Sequence, residues 1–237
     1  MLKLRQTFAT LLKGILAGLC IGLGSTLYLV VGYENKIVAS FVFTVGMILV
    51  LNFGYFLFTG KIIYLFNHLK RTSNLHYSLQ LLIGLVGNLI GAGVLGLIVS
   101  AVSEYVEYKV VVDGIKTTIT GYLNMLDAKT IVENKLSNPL WVTFLLAMGC
   151  NILIYFAVEG FAKVENYFVK HLIVMLCIAG FVILGFEHLI ANMFYIGVAG
   201  IFNFDVIVFM IVVLLGNTVG VLLIPSVVKL IKALERR

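Results

Sequence analysis

Gly185-Phe186-Glu187-His188-Leu189-Ile190-Ala191-Asn192-Met193 sets a carboxyl, an imidazole and a glycine inside a run, His171 to Phe204, whose only Asp, Glu, Lys or Arg is Glu187. Ionisable groups at membrane depth are costly, and where they occur they mark solute pathways or proton relays. The run is too long for one span of roughly 20 residues and too short for two spans with a loop, so it reads as a helix, a break and a half-helix. Phe58-Thr59-Gly60-Lys61 interrupts an earlier apolar run in a corresponding place. Thr59 to Asn88 and His188 to Asn217 are both 29 residues (88 − 59 and 217 − 188), and the asparagines sit in one pattern, Gly87-Asn88-Leu89-Ile90-Gly91 and Gly216-Asn217-Thr218-Val219-Gly220. The expectation is two copies of a three-span unit, each with a broken middle helix.

The composition supports that reading. Of 237 residues 61% are hydrophobic and 12% charged, an apolar share well above the roughly half that soluble domains carry. Uncharged runs from Gly14 to Tyr33, Ile37 to Gly60, Tyr77 to Ser103, Leu136 to Val158 and Val206 to Val228 each reach membrane-spanning length. With the broken run this makes six spans, an all-α membrane protein of two inverted three-helix repeats with broken second and fifth spans. The whole chain, 1–237, reads as one channel domain, with repeat one over about 11–103, an external loop over about 104–138 and repeat two over about 139–231. An alternating six-span path puts twelve Lys and Arg on the side of both termini and five (Lys36, Lys109, Lys116, Lys129 and Lys135) on the other. The excess predicts cytoplasmic termini in a cell (inner or plasma) membrane. It also accounts for the net charge of +6 without a nucleic-acid patch.

Cys20, Cys150 and Cys177 fall inside spans and read as small packing residues without disulfides. The first span is long and lacks a small-residue cleavage site, so it reads as a retained helix rather than a signal peptide. In the polar stretch Glu104 to Lys135, Val110 to Gly114 reads as an extended piece with a turn and Tyr122 to Val132 as an interfacial helix, together capping the external mouth or forming a plain surface loop. The glycines clustered in the spans let helices approach closely in lipid.

A broken span leaves N–H groups unpaired at the start of one half-helix and C=O groups at the end of the other, which only protein or a watery cavity can satisfy. The half-helix start is a fixed positive partial charge near the midplane, suited to anions. His188 at such a break can hold a hydrogen bond and a proton while facing a cavity. Glu187 is expected to orient backbone or Asn192, since an ionised carboxylate in the path would repel anions. Thr59 can cap its half-helix, donate to a solute, or both. Asn88 and Asn217 offer buried amides that can tie the broken segments, and Leu57, Phe58 and Phe181 are candidates for apolar constrictions. No second histidine stands four residues from His188, so neither metal nor cofactor is expected.

Taken together these residues resemble the formate/nitrite transporter family over nearly the whole chain. Gly-Phe-Glu-His-x-x-Ala-Asn-Met at 185–193 is similar to its fifth-span signature and Leu57-Phe58-Thr59-Gly60 to its second-span loop; Ala17-Gly18 with Gly22 and Gly24, Asn151, and Gly216-Asn217 also fit. The resemblance implies an aquaporin-like protomer in a homopentamer, each protomer with its own pore for formate, nitrite or hydrosulfide. It implies His188 and Thr59 as a central polar pair supported by Asn192 and Asn217, with Leu57, Phe58 and Phe181 as constrictions. Lys135, sixteen residues before Asn151, would be a vestibule lysine that attracts anions. The chain departs from the family at Lys61, where asparagine is common, and at Phe56, where glutamate is; Lys61 is similar to the hydrosulfide-conducting branch.

The resulting expectation is a passive or proton-linked channel in which a weak-acid anion takes up a proton and crosses the apolar rings as the neutral acid. The alternatives are an aquaporin-like pore for a small neutral solute, although Asn-Pro-Ala pairs are absent, an intramembrane enzyme using Glu187 and His188, for which no nucleophile or metal set is present, and a structural subunit.

Overall fold

Apolar runs that must satisfy every backbone N–H and C=O without water have one solution for a single segment, the helix. In the computed structural model, which describes residues 4–32, 35–65, 74–103, 107–112, 115–120 and 125–235, the runs take that form. The order is α1 (Leu4–Gly32), α2 (Lys36–Asn52), α3 (Phe58–Lys61) continuing into a 3₁₀ turn (Ile62–Tyr64), α4 (Asn74–Ser103), strands β1 (Glu107–Val112) and β2 (Ile115–Thr120), α5 (Met125–Leu136), α6 (Leu140–Lys163), α7 (Tyr167–Ile183), α8 (Leu189–Ala199) and α9 (Phe204–Leu234).

Among the described residues four helices, α1, α4, α6 and α9, are long and apolar enough to cross a membrane. Helices α2 and α7 stop at 17 residues each and α8 has 11. At 1.5 Å per residue 17 residues reach about 25 Å, short of the roughly 30 Å hydrocarbon core. The outer faces stay apolar, with Leu23, Leu82, Leu145 and Leu215 exposed, while Ser25, Thr44, Asn88, Asn151 and Asn217 are buried. Polar groups inside and leucines outside is the pattern of a multi-pass membrane protein, and it is how this chain is built.

Glycines fix the helix pairs. A Cβ on Gly87 would stand 2.6 Å from the Leu11 carbonyl oxygen and one on Gly216 2.5 Å from that of Phe144. One turn on, Gly91 abuts the Ile15 carbonyl and Gly220 that of Met148. Helices α1 and α4 therefore lock together as α6 and α9 do, at matching positions. Helix α2 packs on α1, α7 on α6, and α2 on α7; α8 lies along α4, while the 3₁₀ turn after α3 rests on α9. The short second piece of each half thus packs on the last helix of the other half.

The break in the second span falls earlier than the sequence suggested. Helix α2 ends at Asn52, and Phe58 to Lys61 is the first turn of the resumed helix rather than the interruption. The glycine that ends α2 is Gly54, with φ +65°, whereas Gly60 is helical. In the other half the break runs over residues 184–188 and the left-handed residue is Gly185, φ +67°. In the polar connection β1 and β2 pair antiparallel, from Glu107 opposite Thr120 to Val112 opposite Ile115. The expected turn at Asp113 and Gly114 lies outside the described residues, as do Tyr122 to Asn124 of the expected helix; its described part is Met125–Leu136, which ends four residues beyond the expected Val132.

Candidate functional site

Both breaks are closed by the same bonds. After α2 the Tyr55 N–H donates to the Val50 carbonyl (3.0 Å) and the Gly54 N–H to Leu51 (3.4 Å); after α7 the Phe186 N–H donates to Phe181 (3.0 Å) and the Gly185 N–H to Val182 (3.1 Å). This is the glycine-ended helix terminus that satisfies otherwise orphaned carbonyls. The chain then runs extended to a cap residue three positions after each glycine, Leu57 (φ −93°, ψ 119°) before α3 and His188 (φ −108°, ψ 118°) before α8.

One asparagine clamps each break from the last helix of its half. The Asn88 Oδ1 accepts the Phe58 N–H (2.8 Å), and its Nδ2 donates to the carbonyls of Phe56 (2.7 Å) and Gly14 (2.8 Å). The Asn217 Oδ1 accepts the Leu189 N–H (3.0 Å), and its Nδ2 donates to Glu187 (2.8 Å) and Ala147 (2.9 Å). Each amide thereby bonds two backbone groups at the break that lipid would leave bare and ties them to a carbonyl of a neighbouring continuous helix.

These bonds set the register of the two halves, and it differs from the 29-residue spacing. The residue matching His188 is Leu57, not Thr59, because Leu57 to Asn88 is 31 residues while His188 to Asn217 is 29. Phe56 accordingly matches Glu187, and Lys61 matches Asn192: the Lys61 N–H donates to the Leu57 carbonyl and the Asn192 N–H to that of His188, both at 2.9 Å.

Thr59 and His188 are nonetheless brought together across the two half-helix starts, Thr59 Oγ1 lying 3.1 Å from His188 Nε2, both buried. His188 Nδ1 accepts the Ala191 N–H at 3.3 Å and so caps its own helix. In a neutral ring that leaves the proton on Nε2, which donates to Thr59 Oγ1 and frees the threonine hydroxyl hydrogen for another acceptor. Glu187, 1% exposed, has its Oε2 2.6 Å from Lys135 Nζ and 2.9 Å from Asn192 Nδ2. Sequence spacing gave no sign of this Lys135–Glu187 pair, whose partners lie 52 residues apart.

A cavity lies on each side of the polar centre. The first, about 170 Å³, is lined by Lys135, His188, Asn192, Phe181, Phe43 and Tyr195 among others. The Phe181 ring lies 5.8 Å from the His188 ring and 5.8 Å from Phe43. The second, about 60 Å³, is lined by Leu57, Gly60, Lys61, Tyr55 and Val158 with Met47, Val50, Leu51 and Gly54. Phe58, though buried, lines neither. A larger cavity of about 720 Å³, between Tyr64, Glu159 and Lys232, does not reach His188.

Asn151 has neither amide atom bonded, and Thr143, two turns earlier on α6, has an unbonded hydroxyl; both residues are fully buried. Buried groups without partners are rare enough to need a reason. Thr143 carries no sequence signal, standing in a span as any packing threonine does. Among the described residues no group of three or more His, Cys, Asp or Glu could hold a metal ion.

The family model described as "Formate/nitrite transporter" matches residues 2–231. A "Formate-nitrite transporter" of Plasmodium knowlesi (strain H) is 29% identical over 205 residues, 80% of this chain and 63% of that protein. A "Probable formate transporter" of Methanothermobacter thermautotrophicus is 33% identical over 78% of this chain and 70% of its own length. The chain spans under two thirds of the length of the first of these relatives. Among solved structures, a "Pentameric formate channel with formate bound" superposes with a TM-score of 0.79 at 27% identity, covering 97% of this chain and 98% of that one.

Proposed function

The chain belongs to the formate/nitrite transporter family, and we propose that it conducts small monovalent anions of weak acids, such as formate, nitrite or hydrosulfide, with a proton linked to passage. The observation that carries this reading is the Thr59–His188 contact, where two half-helix starts meet between two cavities. In the proposed architecture six spans form two inverted three-helix repeats, over about 11–103 and 139–231, with the connection over 104–138 on the outer face. Five such protomers assemble, each with its own pore, in a plasma membrane with both termini cytoplasmic; the pentameric formate channel neighbour and the basic excess support this.

The mechanism follows from the site. An anion enters past Lys135 and meets the positive ends of α3 and α8, the Thr59 hydroxyl and the His188 Nε2–H. Glu187, itself bonded by Asn192, holds Lys135 in place, while Asn88 and Asn217 hold the half-helices. Leu57 on one side and Phe181 on the other leave the solute little polar contact as it passes, and a bare ion there would forfeit its hydration. Protonation at the polar centre, directly or through water, gives a neutral acid that crosses these rings cheaply. Uptake of labelled formate or hydrosulfide into proteoliposomes tests this. At fixed total solute, uptake rises as pH falls, and His188→Phe abolishes it; unchanged uptake in the variant removes His188 from the mechanism. Osmotic swelling with uncharged solutes separates the neutral-solute pore, which the apolar rings at Leu57 and Phe181 would also suit.

A further inference from the structure

The two halves share a backbone frame but not a charge balance. In the second half the residue before the cap is Glu187, the residue four after it is Asn192, and Lys135 closes the group, so one negative and one positive charge cancel. In the first half the matching positions are Phe56 and Lys61. Phe56 lays its ring against Gly84 of α4, on space that no side chain there could share. Lys61 therefore has no carboxylate where its counterpart has one. Its ammonium makes no hydrogen bond or ion pair with any described residue. The nearest acid in sequence to the cavity wall, Glu159 beside Val158, is bonded to Lys163 at 2.5 Å, and residues 66–73, which lead from the 3₁₀ turn to α4, contain no Asp or Glu. Lys13 of α1 adds a second positive charge against Lys61 rather than cancelling it. The Tyr77 hydroxyl donates to the Lys61 carbonyl at 2.6 Å and holds the residue at the wall.

We propose that Lys61 makes the cavity of about 60 Å³ an anion-binding subsite on the face that carries both termini, holding one small monovalent anion between the lysine ammonium and the Leu57 ring of apolar side chains. The volume holds a few waters or one ion of three or four atoms. Of the other lining residues only Tyr55 has a polar group on its side chain, so the ammonium supplies the attraction and the narrow walls exclude larger, more hydrated ions. A solute leaving or arriving on this side meets an uncompensated charge, while on the other side it meets a lysine already paired with Glu187.

The inference rests on anion conduction and is tested with it. Labelled formate uptake is measured against concentration in proteoliposomes carrying the parent, Lys61→Gln, Lys61→Arg and Lys61→Cys proteins, each checked for the parent's assembly size. Lys61→Gln raises the half-saturating concentration about tenfold, the effect of one lost charge-assisted hydrogen bond, and Lys61→Arg keeps the parent value. Lys61→Cys is modified in detergent before reconstitution, so that its thiolate displaces sulfinate from a methanethiosulfonate and gains either an ammonium or a sulfonate through a disulfide. The ammonium restores the parent value and the sulfonate does not; parent protein treated alike controls for Cys20, Cys150 and Cys177. Parent-like saturation in Lys61→Gln, or equal effects of the two reagents, overturns the subsite and leaves conduction standing. A parent that takes up no anion overturns both.

Discussion

Lys135→Met removes the cation from a carboxylate that is 1% exposed. Glu187 then keeps Asn192 Nδ2 as its remaining side-chain partner among the described residues. Stripping one member from a buried ion pair costs about 3–5 kcal/mol because the survivor stays charged in a poor solvent. The Lys135 side chain is 19% exposed and borders the larger of the two central cavities, where water can reach part of the gap, so the lower end, about 3 kcal/mol, is expected. For a chain of this size that is a fall of roughly 6–12 °C in apparent Tm. Glu187→Gln should cost less, about 1–2 kcal/mol, since a glutamine oxygen still accepts from Asn192 and the freed lysine can turn to the cavity. The double variant should recover part of the loss, with a coupling of about 2 kcal/mol. Thermal unfolding of the detergent-solubilised protein at one fixed protein concentration reads all three, since assembly shifts Tm by mass action. Additive losses, or a Lys135→Met effect within the roughly 0.5 kcal/mol of an ordinary surface change, would refute the argument that the pair is buried and coupled.

The same melts check the frame. Asn88→Ala and Asn217→Ala each delete three bonds of 2.7–3.0 Å and should each cost about 3 kcal/mol or more; a neutral result at either site contradicts the clamp. Gly220→Ala drives a methyl into the Met148 carbonyl and should cost about 1–3 kcal/mol, read as lower Tm and weaker assembly on size exclusion. Gly185→Ala meets nothing within 4 Å and carries only the strain of φ +67°, about 1–2 kcal/mol, so its loss should not exceed that of Asn217→Ala.

Run length alone made the chain a membrane protein, and a histidine beside a glutamate in an apolar run marked one break. The Gly-Asn-x-x-Gly repeats were legible for a physical reason: two glycines four apart give α1 and α6 close access, and the asparagine between them does the clamping. The exact break in the second span was not legible, because Gly54 and Gly60 are equally available in sequence and only packing decides which one adopts positive φ. The two-residue offset between the halves is hidden for the same reason: the equal 29-residue spacing starts at Thr59, a residue inside the resumed helix, whereas the cap that matches His188 is Leu57. The Lys135–Glu187 pair was hidden because its members come from different elements, and nothing in the spacing of α5 aims a lysine at the break after α7.

Matched backbones with unmatched side chains explain why, among the described residues, a paired carboxylate and lysine stand on one side and a lone lysine on the other. The asparagine clamp, the left-handed glycine and the cap geometry need backbone atoms and one amide, so they tolerate any side chain just before the cap, at the cap and four residues beyond it. A carboxylate before the cap, as at Glu187, brings obligations: buried at 1% exposure, it requires donors, and Asn192 and Lys135 supply them. An apolar residue there, as at Phe56, brings none, and the ring is absorbed by the missing side chain of Gly84. With no carboxylate to hold, the position four beyond the cap is released from structural duty in the first half. Lys61 can then carry a charge that the fold does not use, at the wall of the smaller cavity, and that is the condition under which a lysine is available to a solute.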